Sequence, residues 1–99
     1  MELAYYINIE EFCLRHEIEE TFIDALRDYE LIKIEVHQDQ QKYIHREELS
    51  ELERMVRLYR ELGVNPEGIQ IIQQLLQKIE RHQRELQRLR NKLSRFEDF

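Results

Sequence analysis

Residues that break regular backbone structure are scarce in this sequence, whose 99 residues include two glycines and one proline. A fold rich in β-sheet needs many turns, and turns draw on Gly, Pro, Asn and Asp. Two glycines also cannot build a Gly-rich phosphate loop or a dinucleotide-binding fingerprint. The chain is therefore predicted to consist mainly of long helices.

The first third of the chain predicts two short helices joined by a tight turn. Asn8 is placed to cap a helix over 9–16, and Glu11 follows three residues later as in a capping box. A second helix is predicted over 19–30, where apolar residues at helical spacing should face the core: Phe22, Ile23, Leu26 and Tyr29. Two such helices form a helix-turn-helix.

Short strands are predicted on either side of this pair. Residues 3–7 are too few for more than an edge strand. Ile32, Ile34 and Val36 alternate with polar residues, which is the period of a half-buried strand. A polar turn at 37–41 then leads to a returning strand at 42–44. A small hairpin in this position is a wing.

Two further helices complete the chain. The third is predicted over 46–62, followed by Gly63 where a C-terminal cap glycine belongs. Asn65 and Pro66 are suited to the cap and first position of a last helix that continues to about Glu97. We therefore expect a winged helix-turn-helix body over 1–64 and a long dimerisation helix over 65–99, as one structural domain overall.

The last helix carries apolar residues at alternating steps of three and four, the a and d positions of a coiled coil. The pattern begins at Ile72 and Leu75, and the part beyond the reach of a small body is the seam: Ile79, His82, Leu86, Leu89, Leu93 and Phe96. This seam predicts a homodimer, although it could instead fold back on the first three helices. His82 is the polar member, either a register-setter or a weak point.

Several function classes are excluded by composition. The two serines, Ser50 and Ser94, have no base beside them, so a serine hydrolase is implausible. The single cysteine, Cys13, excludes an intramolecular disulfide and a CxxC zinc site, and it fits a reducing cytosol. No apolar run approaches the roughly 18 residues of a membrane span, and the acidic start is unlike a secretory signal. We expect a cytoplasmic, non-enzymatic binding protein without metal or cofactor.

The order of parts resembles the MerR-like winged helix-turn-helix, as do the segment from Asn8 to Cys13 and the segment from Leu62 to Asn65. A narrower resemblance is to the chaperone-modulator CbpM family. It is carried by Glu11-Phe12-Cys13-Leu14, by Arg54-x-Val56-Arg57-Leu58 and by Leu93-Ser94-Arg95-Phe96. The resemblance implies a protein that binds the J-domain of a DnaJ/CbpA-type co-chaperone, keeps DnaK away and restrains co-chaperone activity. Glu17 and Glu30 depart from it, because the family usually has glycine there.

The predicted second helix carries an acidic outer face. DNA binding depends on Lys and Arg neutralising phosphates, whereas Asp24 stands where DNA-binding MerR-like proteins carry arginine. In the wing, Lys33 and Lys42 are cancelled by Glu35 and Asp39. Such a face suits the positive surface that J-domains typically present. The predicted partner-binding residues are Glu20, Asp24, Asp28 and Glu35.

Alternatives stay open at this point. The acidic residues could simply form a solvated helix face. A MerR-like DNA-binding transcriptional regulator is the second functional hypothesis, although specific DNA binding is disfavoured by the acidic face. The late basic cluster from Lys78 to Arg95 avoids the a and d positions, which favours solvated flanks of a coiled coil. Charges across the coiled coil are compatible with either parallel or antiparallel pairing.

Overall fold

The fold is mainly helical, with a small three-stranded antiparallel sheet and a long C-terminal helix, as a winged helix-turn-helix requires. A computed structural model describes residues 5–97. A 3₁₀ turn at Arg46–Glu48 leads into the third helix. The elements in chain order are β1 Tyr6–Asn8, α1 Ile9–His16, α2 Glu20–Asp28, β2 Glu35–Val36, β3 Lys42–His45, α3 Leu49–Leu62 and α4 Pro66–Glu97.

The predicted helix caps are confirmed. Asn8 Oδ1 accepts a hydrogen bond from the Glu11 amide at 2.9 Å, which satisfies one of the free N–H groups at the start of α1. Asn65 Oδ1 accepts from the Gly68 amide at 2.8 Å at the start of α4. Gly63 ends α3 with φ of 67°, in the left-handed conformation that glycine adopts without strain.

Two glutamates occupy the same left-handed conformation as Gly63. Glu17 ends α1 with φ of 53°, and Glu30 follows α2 with φ of 59°. Backbone hydrogen bonds from Glu30 N to Arg27 O and from Leu31 N to Leu26 O close the end of α2. These are the positions at which the resemblance implies glycine, so the chain keeps the turn geometry with a residue less suited to it.

One continuous core joins the helices and the sheet. The prediction that Tyr29 faces this core is wrong. Tyr29 is 36% exposed, because α2 ends at Asp28 and the chain turns away at Glu30. Met55 is buried on α3 instead. The fully buried side chains are Ile9, Ile23, Leu26, Ile44, Leu52, Met55 and Ile69.

The sheet has the order β1-β3-β2, so the returning strand lies in the middle. Tyr6 pairs with His45 on one side, while Glu35 pairs with Tyr43 on the other. The strand predicted over Ile32 to Val36 is shorter than expected, since Ile32 enters the helical core and pairing begins only at Glu35. The part of the predicted edge strand at residues 3 and 4 lies outside the described residues.

Helix α4 belongs to the body at its start and leaves it soon afterwards. Ile69 is part of the core, and the side-chain amide of Gln70 donates to the Tyr29 carbonyl at 3.1 Å. Every residue from 77 to 97, here the projecting segment, is exposed. The radius of gyration is 18.6 Å, against about 13 Å for a compact domain of this length. Within residues 5–97 no helix is long and apolar enough to cross a membrane.

Candidate partner-binding surfaces

The outer side of α2 carries three of the four predicted partner-binding residues. Helical spacing places Glu20, Asp24 and Asp28 on one side of the helix, while Phe22, Ile23 and Leu26 are buried on the other. Glu20 and Asp28 are exposed, and Asp24 is half-buried. The α2 acidic face, defined as Glu20, Asp24 and Asp28, is therefore a real surface of the body.

Part of this face is neutralised within the chain. Asp24 Oδ1 lies 3.4 Å from Lys42 Nζ of β3 and 3.8 Å from Arg27 Nη1. Arg27 also reaches Asp28 at 3.5 Å. Such partly exposed pairs contribute little stability, but they lower the net charge that a partner meets. Glu20 is the member of the face for which the described residues supply no ion pair.

The fourth predicted residue, Glu35, stands on a different element. It is exposed on β2, where it pairs with Tyr43 across the sheet. The Lys42–Asp24 contact joins β3 to α2, so the wing lies beside the acidic face. Sequence reasoning missed this contact because the two residues are 18 positions apart and Lys42 was assigned only to cancelling wing charge.

The turn of the wing is held by its own side chains. Asp39 accepts hydrogen bonds from the Gln41 amide at 3.0 Å and from the Tyr43 hydroxyl at 2.5 Å. These bonds hold the pKa of Asp39 below its usual value and raise the pKa of Tyr43. The His37 ring stacks on Tyr43 and meets Tyr6 edge-on. The wing therefore presents a fixed shape beside α2.

A groove between α1 and α2 adjoins the acidic face. It has a volume of about 430 Å³, and the residues that line it, here the Leu14 groove, are Glu10, Cys13, Leu14, Ile18 and Glu20. Burial raises the pKa of the Cys13 thiol to about 11, and the charges of Glu20 and Asp24 add to the effect. The thiol therefore stays protonated near neutral pH. This groove was not foreseen from the sequence.

The seam of α4 is exposed along its whole length. Its apolar members are between 48% and 76% exposed, and His82 is exposed as well. Glu85 pairs with Arg88 of the same helix, which lowers the pKa of Glu85. The alternative in which the seam folds back on the first three helices is not the arrangement found. The seam side chains are Ile79, His82, Leu86, Leu89, Leu93 and Phe96.

Metal binding has no support in the geometry. In the part of the chain that the structure describes, His, Cys, Asp and Glu side chains form no group of three or more that could hold a metal ion. Cys13 and His16 stand three residues apart on α1; the cysteine is buried, and the His16 ring stacks on Phe12 with the ring centroids 4.2 Å apart.

Comparison with known proteins identifies the type of domain. A family model for MerR HTH family regulatory proteins matches residues 7–91, which is most of the chain. No curated protein and no solved structure gave a significant match. The match covers both helices of the helix-turn-helix, the wing, α3 and most of α4.

Proposed function

The chain belongs to the MerR helix-turn-helix family of regulatory proteins, and within that family we propose that it is a chaperone modulator. It would bind the J-domain of a DnaJ/CbpA-type co-chaperone and inhibit that co-chaperone by keeping DnaK away. The resemblance of three segments to the CbpM family supports this finer assignment. The proposal includes action in the cytoplasm, which a single unpaired cysteine favours.

The observation that carries the proposal is the charge on α2. In a helix-turn-helix the second helix is the one that enters the DNA major groove. Here Glu20, Asp24 and Asp28 on its outer side outnumber Arg27 and Lys42, and both of these cations pair with Asp24, so the surface keeps a net negative charge. A polyanion is repelled by such a surface, whereas a basic protein surface is attracted to it.

Charge reversal on this face tests the proposal. Glu20→Lys with Asp28→Lys is chosen because neither residue holds the wing, unlike Asp24. We expect affinity for a cognate J-domain to fall about tenfold or more, and wild-type binding to weaken as salt is added. Isothermal titration calorimetry provides the measurement. The matched control, Glu61→Lys with Glu80→Lys, changes the net charge equally on other exposed surfaces.

Inhibition is tested separately from binding. The wild-type protein should reduce the ATP hydrolysis that the co-chaperone stimulates in DnaK. The charge-reversed α2 variant should reduce this hydrolysis less than the matched control variant does.

The binding experiment has an outcome that would contradict the proposal. If calorimetry gives the same J-domain affinity for the wild type and the α2 variant, α2 is not the docking surface.

A DNA-binding regulator is the alternative function, since the matched family is one of helix-turn-helix proteins. The acidic face argues against it. Fluorescence anisotropy with genomic DNA fragments at physiological salt should show nothing tighter than the non-specific range of roughly 10⁻⁴–10⁻⁶ M. A nanomolar, sequence-dependent signal would replace the chaperone proposal with this alternative.

We further propose that the active species is a homodimer paired through the seam. Burying a Leu-sized side chain contributes roughly 1.5–3 kcal/mol, so four such residues on each chain would contribute about 12–24 kcal/mol, against an estimated cost of association of about 4–15 kcal/mol. Antiparallel pairing is preferred from the family resemblance, with Lys78 of one chain opposite Glu85 of the other. Lys78→Glu should then weaken association, whereas a parallel pair would join Glu85 to Arg90 and leave Lys78 without effect.

A further inference from the structure

We propose that the Leu14 groove binds an apolar side chain from a basic amphipathic helix of the partner. The inference deepens the proposed function, because it assigns the apolar anchor of the surface at which a J-domain would dock. The groove stands beside the α2 acidic face and shares Glu20 with it. Affinity in protein interfaces is concentrated in a few apolar or aromatic anchors, while charges around them set encounter and specificity.

Leu14 provides an exposed apolar contact for that side chain. It is 75% exposed in the last turn of α1, although its neighbours Phe12 and Cys13 are buried. The side chains of Cys13 and Ile18 form an apolar floor beside it, since both are buried and line the groove. The groove is an open depression of about 430 Å³, not an enclosed cavity. An apolar side chain lying in it would contact Leu14 and the floor on one side and stay partly exposed on the other.

The rim of the groove selects a basic partner. Glu10 and Glu20 border it, and within residues 5–97 neither carboxylate is in an ion pair. Asp24 adds to the field, because its charge and that of Glu20 both act on the Cys13 thiol at the floor. A helix with Lys or Arg one turn to either side of an apolar residue would place both cations against these acids.

The other flank of α1 provides the contrast. A cleft of about 400 Å³ lies there, but its charged lining consists of two acids and two bases: Glu11, Glu53, Arg15 and Arg46. That balance gives no preference for a basic or an acidic partner. The negative rim is therefore specific to the Leu14 side of the helix, not a property of the whole acidic body.

The groove also continues toward the wing. Glu10 and Glu20 line a second, smaller depression together with Asn8, Gln40, Gln41 and Lys42. The side-chain amide of Asn8 donates a hydrogen bond to the side chain of Gln41, so the start of α1 and the wing turn are in contact. A docked helix would thus run from Leu14 past the first turns of α1 and α2 toward the wing, beside the Lys42–Asp24 contact.

Truncation of Leu14 tests whether the groove binds an apolar side chain of the partner. Leu14→Ala should weaken J-domain binding about tenfold in calorimetry, with the salt dependence of affinity unchanged because no charge is removed. Leu62→Ala is the matched control, since Leu62 is 72% exposed at the end of α3, and its affinity should stay within twofold of wild type. Glu10→Gln with Glu20→Gln should instead reduce the salt dependence. Wild-type affinity for Leu14→Ala would overturn the inference while leaving the chaperone proposal standing.

A second probe separates the two proposals. If the wild-type protein binds no J-domain, the chaperone proposal fails, and a designed helical peptide of Leu, Lys and Ala residues decides the inference. Amide chemical shifts of Glu10, Leu14 and Glu20 that move on titration, and that move much less in Leu14→Ala, would support the groove as a site for basic amphipathic helices. Titration without shifts at these residues would overturn it.

Discussion

The body and the projecting segment of α4 use apolar residues in opposite ways. In the body, side chains from every helix and from β3 are buried in one core, and the surface is acidic. The projecting segment exposes all its residues, including five large apolar side chains. Among residues 5–65 there are 15 acids and 8 bases, whereas α4 carries 4 acids and 7 bases. The body thus buries its apolar side chains, whereas the seam of the projecting segment stays exposed, and this exposure is the basis for proposing that a second copy covers it.

The first prediction concerns the exposed seam of α4. Leu86→Lys with Leu89→Lys should abolish association while the body stays folded, because four large apolar side chains per dimer, each contributing roughly 1.5–3 kcal/mol, are lost. Light scattering after size exclusion measures the mass. Gln87→Lys with Asn91→Lys is the charge-matched control on the outer side of α4, and it should leave a dimer. A monomer mass for the wild type at micromolar concentration would contradict the prediction.

The second prediction sharpens the comparison within a single helix. Leu52 of α3 is fully buried, whereas Leu62, ten residues later, is largely exposed. Leu52→Ala should lower the free energy of unfolding by about 2–5 kcal/mol through lost burial and a cavity. Leu62→Ala should change it by about 0.5 kcal/mol or less. Urea denaturation monitored by circular dichroism gives both values, and equal effects would mean that the core is not placed as described.

The third prediction concerns the helix ends of the body. Glu30→Gly should stabilise the fold by up to about 1 kcal/mol, because glycine adopts the left-handed conformation without the steric cost that a side chain carries. Gly63→Ala should destabilise by about 1 kcal/mol for the same reason, since an added Cβ would meet no atom within 4 Å and only the backbone is strained. Thermal unfolding should show these opposite shifts, and shifts of the same sign would contradict the explanation.

The last prediction concerns Cys13 and pH. Burial raises the pKa of its thiol to about 11 in the folded chain, against about 8.5 for a free cysteine. Between these values the unfolded chain loses the proton and the folded chain keeps it, so the contribution to stability is present below pH 8 and is lost as pH rises toward 11. The difference in unfolding free energy between wild type and Cys13→Ala should shrink over that range. A constant difference would show that the thiol is not shielded.

Features set by neighbouring residues were predictable from the sequence. Asn8, Asn65 and Gly63 all act as caps where the pattern placed them, because a cap depends on residues within one turn. The limits of α4 were also correct, since its repeat continues without interruption to Glu97. Local chemistry and periodicity decide these features before any distant contact forms.

Features set by distant contacts were not predictable. The period-two pattern of Ile32 to Val36 indicated a strand, but packing of Ile32 against the helices leaves only two residues to pair. The acidic face was correctly placed on α2, yet its neutralisation by Lys42 depends on how the wing folds back. The exposure of Leu14 could have been predicted, because this apolar residue lies outside the buried side of α1, which Ile9, Phe12 and Cys13 form.

The length of the projecting segment sets how a dimer could engage its partners. Twenty-one helical residues span about 30 Å, so antiparallel pairing would keep the two bodies at opposite ends of a rigid spacer. Each body would then act as an independent binding head, and a single small domain could not contact both. Avidity would arise only toward a partner that presents two copies of its own domain at a matching distance, and it would change with each heptad added to or removed from the spacer.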